Sequence, residues 1–348
     1  MTKTPITRRL FNAGLAAGAT LTFLPGSGRA AVKITAAEAV ETMYYLPLYA
    51  AKAKGFFEQE GLDVEIFNAQ QRTIALRAIV AGDAFTYNGD PAEPAIGRQR
   101  GVACKNIGVL VDRAVQVVLA KKGMSKNPKD WKGEKIIIPR PPHTAVSLIQ
   151  MLLIDAGYTK ADADGLVWKP ASGANIQLLP VIAGSELSAL TAGQANLSVT
   201  IEPATSIGAS QGFEPVASFA EHFGPFFFTS FAVMEDSIKN KPAQVQSFVN
   251  AITKAMVYGH KYPDKVADVA VARYKDSDPN VMRAAAKRIV AQGAYPKNML
   301  VSAESYKNNF ERLLPATGHP AAGYKFGELM DMSFAEKAAA AITDVKES

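Results

Sequence analysis

Residues 43–66 read MYYLPLYAAKAKGFFEQEGLDVEI, and their order of helix, stop, turn and strand decides the fold. Leu46, Tyr49, Ala50 and Ala53 fall at i, i+3, i+4 and i+7, so a helix over Leu46–Lys54 has one apolar face. Gly55 ends that helix, because a left-handed C-cap costs glycine least. Phe56 and Phe57 pack while the chain turns through Glu58–Gly61, and Asp63–Phe67 starts a strand. Upstream, Val32–Ala37 has the β-branched, charge-poor pattern of a buried strand.

Further along, the segments Thr73–Ala81, Ala84–Tyr87, Glu93–Arg98 and Ala103–Val111 keep alternating between helix and strand. That alternation predicts an α/β fold, a parallel-type sheet with helices on both faces. Gln116–Ala120 is a β-branched run that leads into a second lobe. Strand Lys135–Pro139, helix Thr144–Ala156, a strand near Leu166–Lys169, helical residues at Glu186–Ala192 and strand Ala195–Ile201 build that lobe. Pro215–Ser218 leads back, and Phe227–Met234 is the return strand. The remainder is mostly helical: Ala243–Tyr262, Lys265–Tyr274, Pro279–Gln292, Ala303–Leu314 and Phe334–Ile342. The expected division is a discontinuous first lobe (31–118 and 222–348) with a second lobe (119–221) inserted. Two chain crossovers then form a hinge about which the lobes open and close.

Three stretches carry a family resemblance: PLYAAKAKGFFEQEGLDVE (47–65), NPKDWKGEKIIIP (127–139) and Ile201-Glu202-Pro203. Together they resemble the substrate-binding proteins of ABC importers for nitrate, sulfonates, taurine and thiamine-precursor pyrimidines. Trp131 stands where those proteins usually have Leu, and Ile201 where they have Trp. The resemblance spans Val32–Tyr262. It implies a two-lobed periplasmic binding protein fold of type II, with two parallel-type sheets and a double-crossover hinge. It also implies a small-molecule ligand between the lobes, an ABC transporter permease as partner, a monomer, no cofactor and no catalysis.

Met1–Ala30 reads as a signal peptide. Thr7-Arg8-Arg9-Leu10-Phe11 fits the twin-arginine pattern, and the apolar stretch Ala13–Leu24 has 12 residues, too few to span a bilayer. Cleavage after Ala30 would remove Lys3, Arg8, Arg9 and Arg29 and lower the formal charge from +6 to +2. Positions 25–32 hold no cysteine to carry a lipid, so no stable membrane anchor is expected. The single Cys104 excludes a disulfide framework and reads as a small buried residue. A soluble protein exported by the twin-arginine route, unlipidated, fits a periplasm. Nothing in the charge pattern suggests nucleic acid.

In open parallel sheets, ligands lie beyond the carboxyl ends of the strands. That rule selects the loops Glu41–Leu46, Asn68–Thr73, Asn88–Pro91, Arg140–Thr144, Ala171–Asn175 and Thr200–Pro203. Within them, Arg140, His143 and Thr144 precede a helix that Thr144 is expected to cap. Pro141 and Pro142 remove two N–H donors from this loop. Asn88, Gly89 and Asp90 follow a short strand; Asp90 has both a capping and a ligand reading. Tyr44, Tyr45 and Tyr87 offer flat walls, and Thr229 borders the return strand. Arg72, Arg113 and Arg140 could converge on a sulfonate or carboxylate, for which a planar guanidinium is suited. Glu41, Asp90 and Glu202 could instead hold an amino-heterocycle.

Enzyme patterns are weak. Gly208-Ala209-Ser210-Gln211-Gly212 matches G-x-S-x-G, but the elbow needs a strand before the serine and a helix after it, and here that order is inverted. His143, His222, His260 and His319 are scattered without metal-ligand spacing. The expectation is a non-enzymatic binder of a small organic anion, sulfonate-like or carboxylate. Alternatives are a thiamine-related aminopyrimidine as ligand, a pyrimidine-synthesising enzyme of the same fold, and a sensor partner.

Overall fold

The computed structural model describes residues 31–141 and 143–347. The expected signal segment Met1–Ala30 lies outside the described residues, as does Pro142. The strands are β1 (Val32–Glu38), β2 (Leu62–Asn68), β3 (Thr86–Gly89), β4 (Cys104–Arg113), β5 (Val117–Ala120), β6 (Lys135–Pro139), β7 (Thr159–Lys160), β8 (Val167–Lys169), β9 (Ile176–Val181), β10 (Leu197–Thr200), β11 (Glu214–Ser218) and β12 (Pro225–Met234).

They form two sheets, ordered β2-β1-β3-β12-β4 and β11-β5-β10-β6-β9-β8-β7. In each, a parallel centre is extended by antiparallel strands. β1 runs parallel to β2 and β3, whereas β12 is antiparallel to β3 and β4. β6 is parallel to β9 and β10, with β5, β8 and β11 antiparallel to their neighbours. The sheets are therefore mixed rather than wholly parallel, because the chain leaves and re-enters the first sheet through adjacent strands, β4 and β12.

The central strands are buried on both faces, as parallel strands covered by helices must be. Ile136, Ile137 and Ile138 of β6 are fully buried. Edge strand β2 instead alternates, with Leu62 and Val64 inside and Asp63 and Glu65 outside.

Helix Leu46–Ala53 ends where Gly55 takes φ 68°, a left-handed position. Phe56 and Phe57 then begin a further short helix, Phe56–Gln59, rather than a plain turn. Phe57 stacks on Phe248 at 5.4 Å, and Phe231 meets Phe248 edge-on at 5.0 Å. Helix Pro242–Lys261 is thus pinned against the first sheet by aromatic side chains, each worth about 1.5–3 kcal/mol on full burial. No helix among the described residues is long and apolar enough to cross a membrane.

The chain passes between the sheets twice, through 114–116 and 219–224. The two passages touch: Phe219 N–H donates to Gln116 O at 3.1 Å.

Candidate functional site

A cavity of about 460 Å³ lies between the sheets, at the carboxyl ends of their parallel strands. β1 leads into Ala39 and Val40, β2 into Gln70–Thr73, and β3 into Asp90. From the second sheet, β6 leads into Arg140, β9 to Ala183 and β10 into Ile201. Gln116 of the first passage and Phe228 and Thr229 of the return strand complete the wall. Strand ends converge here because every parallel strand in each sheet points the same way.

Of the residues singled out in the sequence, Tyr44, Tyr45, Arg72, Asp90, Arg140, His143, Thr144 and Thr229 line this cavity. In its wall, Arg72 Nη1 lies 3.0 Å from Asp90 Oδ2 and 3.7 Å from Glu93 Oε1. Thr144 Oγ1 donates to the same Asp90 oxygen at 2.7 Å. Burial by itself would lower the Arg72 pKa, but Asp90 and Glu93 outweigh it and hold the guanidinium charged. Burial, with Asp90 nearby, raises the Glu93 carboxyl above its usual range. Asp90 also caps the turn that follows it, accepting from Ala92 N–H at 2.9 Å.

The helix Thr144–Asp155 is capped by His143, not by Thr144: His143 Nδ1 accepts from Ala145 N–H at 3.1 Å. The imidazole serves there as a neutral acceptor, and burial with Arg72 nearby pushes its pKa down to about 4. Thr144, relieved of capping, turns its hydroxyl to Asp90.

Several expectations are corrected. Asn88 and Gly89 belong to β3, which ends two residues later than expected, so Asn88 is fully buried between Glu38 and Phe231 instead of lying in a loop. Tyr87 is fully buried behind the wall, its hydroxyl 3.5 Å from Asp90 O. Gly89 is required here, since a Cβ would sit 2.7 Å from Tyr87 Cζ. Glu202 does not line the cavity; Arg288 Nε approaches it at 2.9 Å, and it accepts from Ser206 N–H at 3.0 Å. Glu41 is taken by Arg273 at 2.8 Å. Arg113 pairs with its neighbour Asp112 at 3.3 Å and is absent from the wall, so the three arginines do not converge. The loop Ala171–Asn175 is also absent from it, because β9 runs on afterwards and delivers Ala183 instead.

Thr42, Glu93 and Gln116 had not been singled out. Gln116 is 2% and Thr229 6% exposed, and Gln116 Oε1 and Thr229 Oγ1 have no hydrogen-bond partner among the described residues. A buried acceptor without a donor costs about 1–3 kcal/mol, so this stretch of wall is poised for a polar guest or water. The only sequence signal for Gln116 was its place at the start of a crossover.

Among the described residues no His, Cys, Asp and Glu group has the makings of a metal site. Ser210 ends helix Ala204–Ser210, with β11 following it, the reverse of a nucleophile elbow. Cys104 is fully buried, and burial pushes its thiol up to about 12.

Comparison with known proteins places this architecture. The Bacillus subtilis (strain 168) protein YtlA is 21% identical over 309 residues, covering 88% of this chain and 89% of its own length. The 4-amino-5-hydroxymethyl-2-methylpyrimidine phosphate synthase of Uromyces fabae is 30% identical, but over 97 residues only, 27% of this chain and 28% of the synthase. The periplasmic aliphatic sulphonate binding protein SsuA from Escherichia coli superposes with a TM-score of 0.66 at 13% identity, covering 84% of this chain and 94% of that chain. That likeness is one of fold, the two-lobed binding-protein architecture. The family model described as NMT1/THI5 like matches residues 42–266, and this chain belongs to that family.

Proposed function

We propose that this protein is the solute-binding component of an ABC import system, capturing a small molecule between two lobes and handing it to a permease. The observation that carries this reading is the cavity between the sheets, walled by strand ends from both. The lobes, 31–113 with 225–348 and 117–218, pivot about the passages 114–116 and 219–224, a few residues from the boundaries expected at 118 and 222. The protein works in the periplasm as a monomer, sent there through Met1–Ala30 by the twin-arginine route, and does no chemistry on its cargo. The likeness to a periplasmic sulphonate-binding protein supports this setting.

The ligand in this reading is a small organic anion, sulfonate-like or carboxylate. Arg140 is exposed at the cavity rim and Arg72 stands inside it, with Thr144 between lobes and Tyr44 and Tyr45 as walls. A second reading, an amino-heterocycle such as an aminopyrimidine, is favoured by the pair Asp90 and Glu93 facing the half-buried guanidinium of Arg72. The local likeness to a pyrimidine phosphate synthase keeps an enzymatic version of that reading open to test.

A thermal-shift screen with sulfonates, taurine, nitrate, aromatic carboxylates and aminopyrimidines separates these. Free ligand at about 100 times its Kd adds about 2.7 kcal/mol of stability. A shift with anions that Arg140→Ala and Arg72→Ala both abolish supports the first reading. A shift with aminopyrimidines alone replaces it, and consumption of a pyrimidine precursor by the purified protein overturns the binding-only role.

A further inference from the structure

On the far side of the Arg72–Asp90–Thr144 bridge lies a second cavity, of about 600 Å³. Its apolar lining, Leu76, Ile96, Val146, Leu313 and Leu314, is drawn from both sheets' helices and from the C-terminal helical region, and the exposed Arg77, Arg100 and Asp164 also line it. Arg72, Asp90, Glu93, His143 and Thr144 line both cavities. The two chambers therefore meet at a seam of side chains held by hydrogen bonds of 2.7 Å and 3.0 Å.

Asn309 is the second observation. It lines the larger chamber and is 2% exposed. Its Nδ2 donates to Phe227 O at 2.7 Å, while its Oδ1 has no partner among the described residues. The widened, π-type turns over Lys307–Leu313 bring it there, and such turns are rare and frequently found at functional sites. An amide held at a cavity wall with half its hydrogen-bonding capacity unused is suited to a guest that brings a donor or a water.

We infer that this second chamber is a subsite for the distal, largely apolar arm of the same solute whose polar head occupies the first chamber. The cargo is then an elongated amphipathic molecule threaded past Arg72, Asp90 and Thr144, and chamber length sets its selectivity. This rests on the solute-binding role proposed above, but not on the charge of the head group.

Calorimetric titration of the purified protein with butanoate, octanoate, butylamine and octylamine tests it. The expected result is a gain of about fourfold in affinity per added methylene, the increment for moving a CH₂ out of water, in at least one series. Ser147 is half-buried in helix Thr144–Asp155 and faces the second chamber. Ser147→Trp should erase the gain with length while leaving the four-carbon probe as it was. Val80→Trp, from an exposed position on the same chamber, repeats the test should the first variant not fold. Equal affinity across lengths in both series, no binding of any probe, or a gain that survives both tryptophans overturns the subsite. A gain confined to the amines sinks the anion reading and supports the subsite.

Discussion

Thr144 Oγ1 donates to Asp90 Oδ2 at 2.7 Å, and the two residues follow strands of different sheets, β6 and β3. Arg72 completes the contact from the first sheet's side. Other bonds join the same halves: Arg312 reaches Asp155 at 2.6 Å, and Glu202 N–H donates to the Tyr44 hydroxyl at 3.2 Å. The bridge at Thr144 differs from these in that both of its partners line the cavity.

Thr144→Val keeps the shape of the side chain and deletes the bridge. A hydrogen bond to a charged group is worth about 1.5–3 kcal/mol, and the loss should fall mainly on closure. Small-angle scattering should show a larger radius of gyration than for the parent protein. An unchanged radius would mean that the bridge does not hold the halves together.

Arg72→Ala strands Asp90 and Glu93 in a mostly buried setting. Breaking one side of such a pair costs about 3–5 kcal/mol when fully buried; Arg72 keeps 23% of its side chain exposed, so a loss of about 2 kcal/mol is expected. Asp90→Asn should cost less. The double variant should cost clearly less than the two losses together, because the partners share one interaction. Strict additivity in denaturant melts would refute the coupling.

Glu38 is fully buried at the end of β1, with the Tyr49 hydroxyl donating to it at 2.7 Å. Burial raises its pKa from 4.5 to about 7. The folded state therefore holds this proton more tightly than the unfolded chain, and stability falls as pH rises between about 4.5 and 7. The full effect is of order 3 kcal/mol at 1.36 kcal/mol per unit. The difference in melting temperature between Glu38→Gln and the parent protein should grow across that window in favour of the variant. A flat difference would show that Glu38 ionises normally.

His143 works in the opposite direction. With its pKa lowered from 6.5 to about 4, the folded state disfavours the proton, so stability is fully present above 6.5 and is lost as pH falls towards 4. Protonation also converts Nδ1 from acceptor to donor and removes the cap on Ala145. His143→Asn preserves a capping acceptor and should flatten this acid limb. Retention of the limb in the variant would assign it to other groups.

Much of the fold was legible because it is encoded locally. Gly55 stops its helix where expected, Lys135–Pro139 is a strand to the residue, and the late helices fall within a few residues of their expected ends. β9 is not legible in the sequence, since Pro180 and Gln177 interrupt its apolar pattern and pairing with β6 and β8 makes it a strand. The candidate site was legible to the extent that strand-end loops can be named in advance. Several of its losses have one origin. Tyr87, Asn88 and Glu202 stand beside the right loops, but their side chains turn into the core or towards Arg288.

From its sequence alone this protein determined which segments are strands, which are helices, and which loops leave the carboxyl ends of strands. Those properties follow from hydrophobic period and from glycine and proline backbone limits, which act over a few residues. Tertiary structure alone decided that Arg72 spends its charge on Asp90 and Glu93 and that Thr144 bridges where it was expected to cap. It alone decided, too, that one cleft is parted into two chambers. Such pairings join residues 18 to 72 positions apart: the ends of β2 and β3 in one sheet bring Arg72 to Asp90 and Glu93, and the end of β6 in the other brings Thr144.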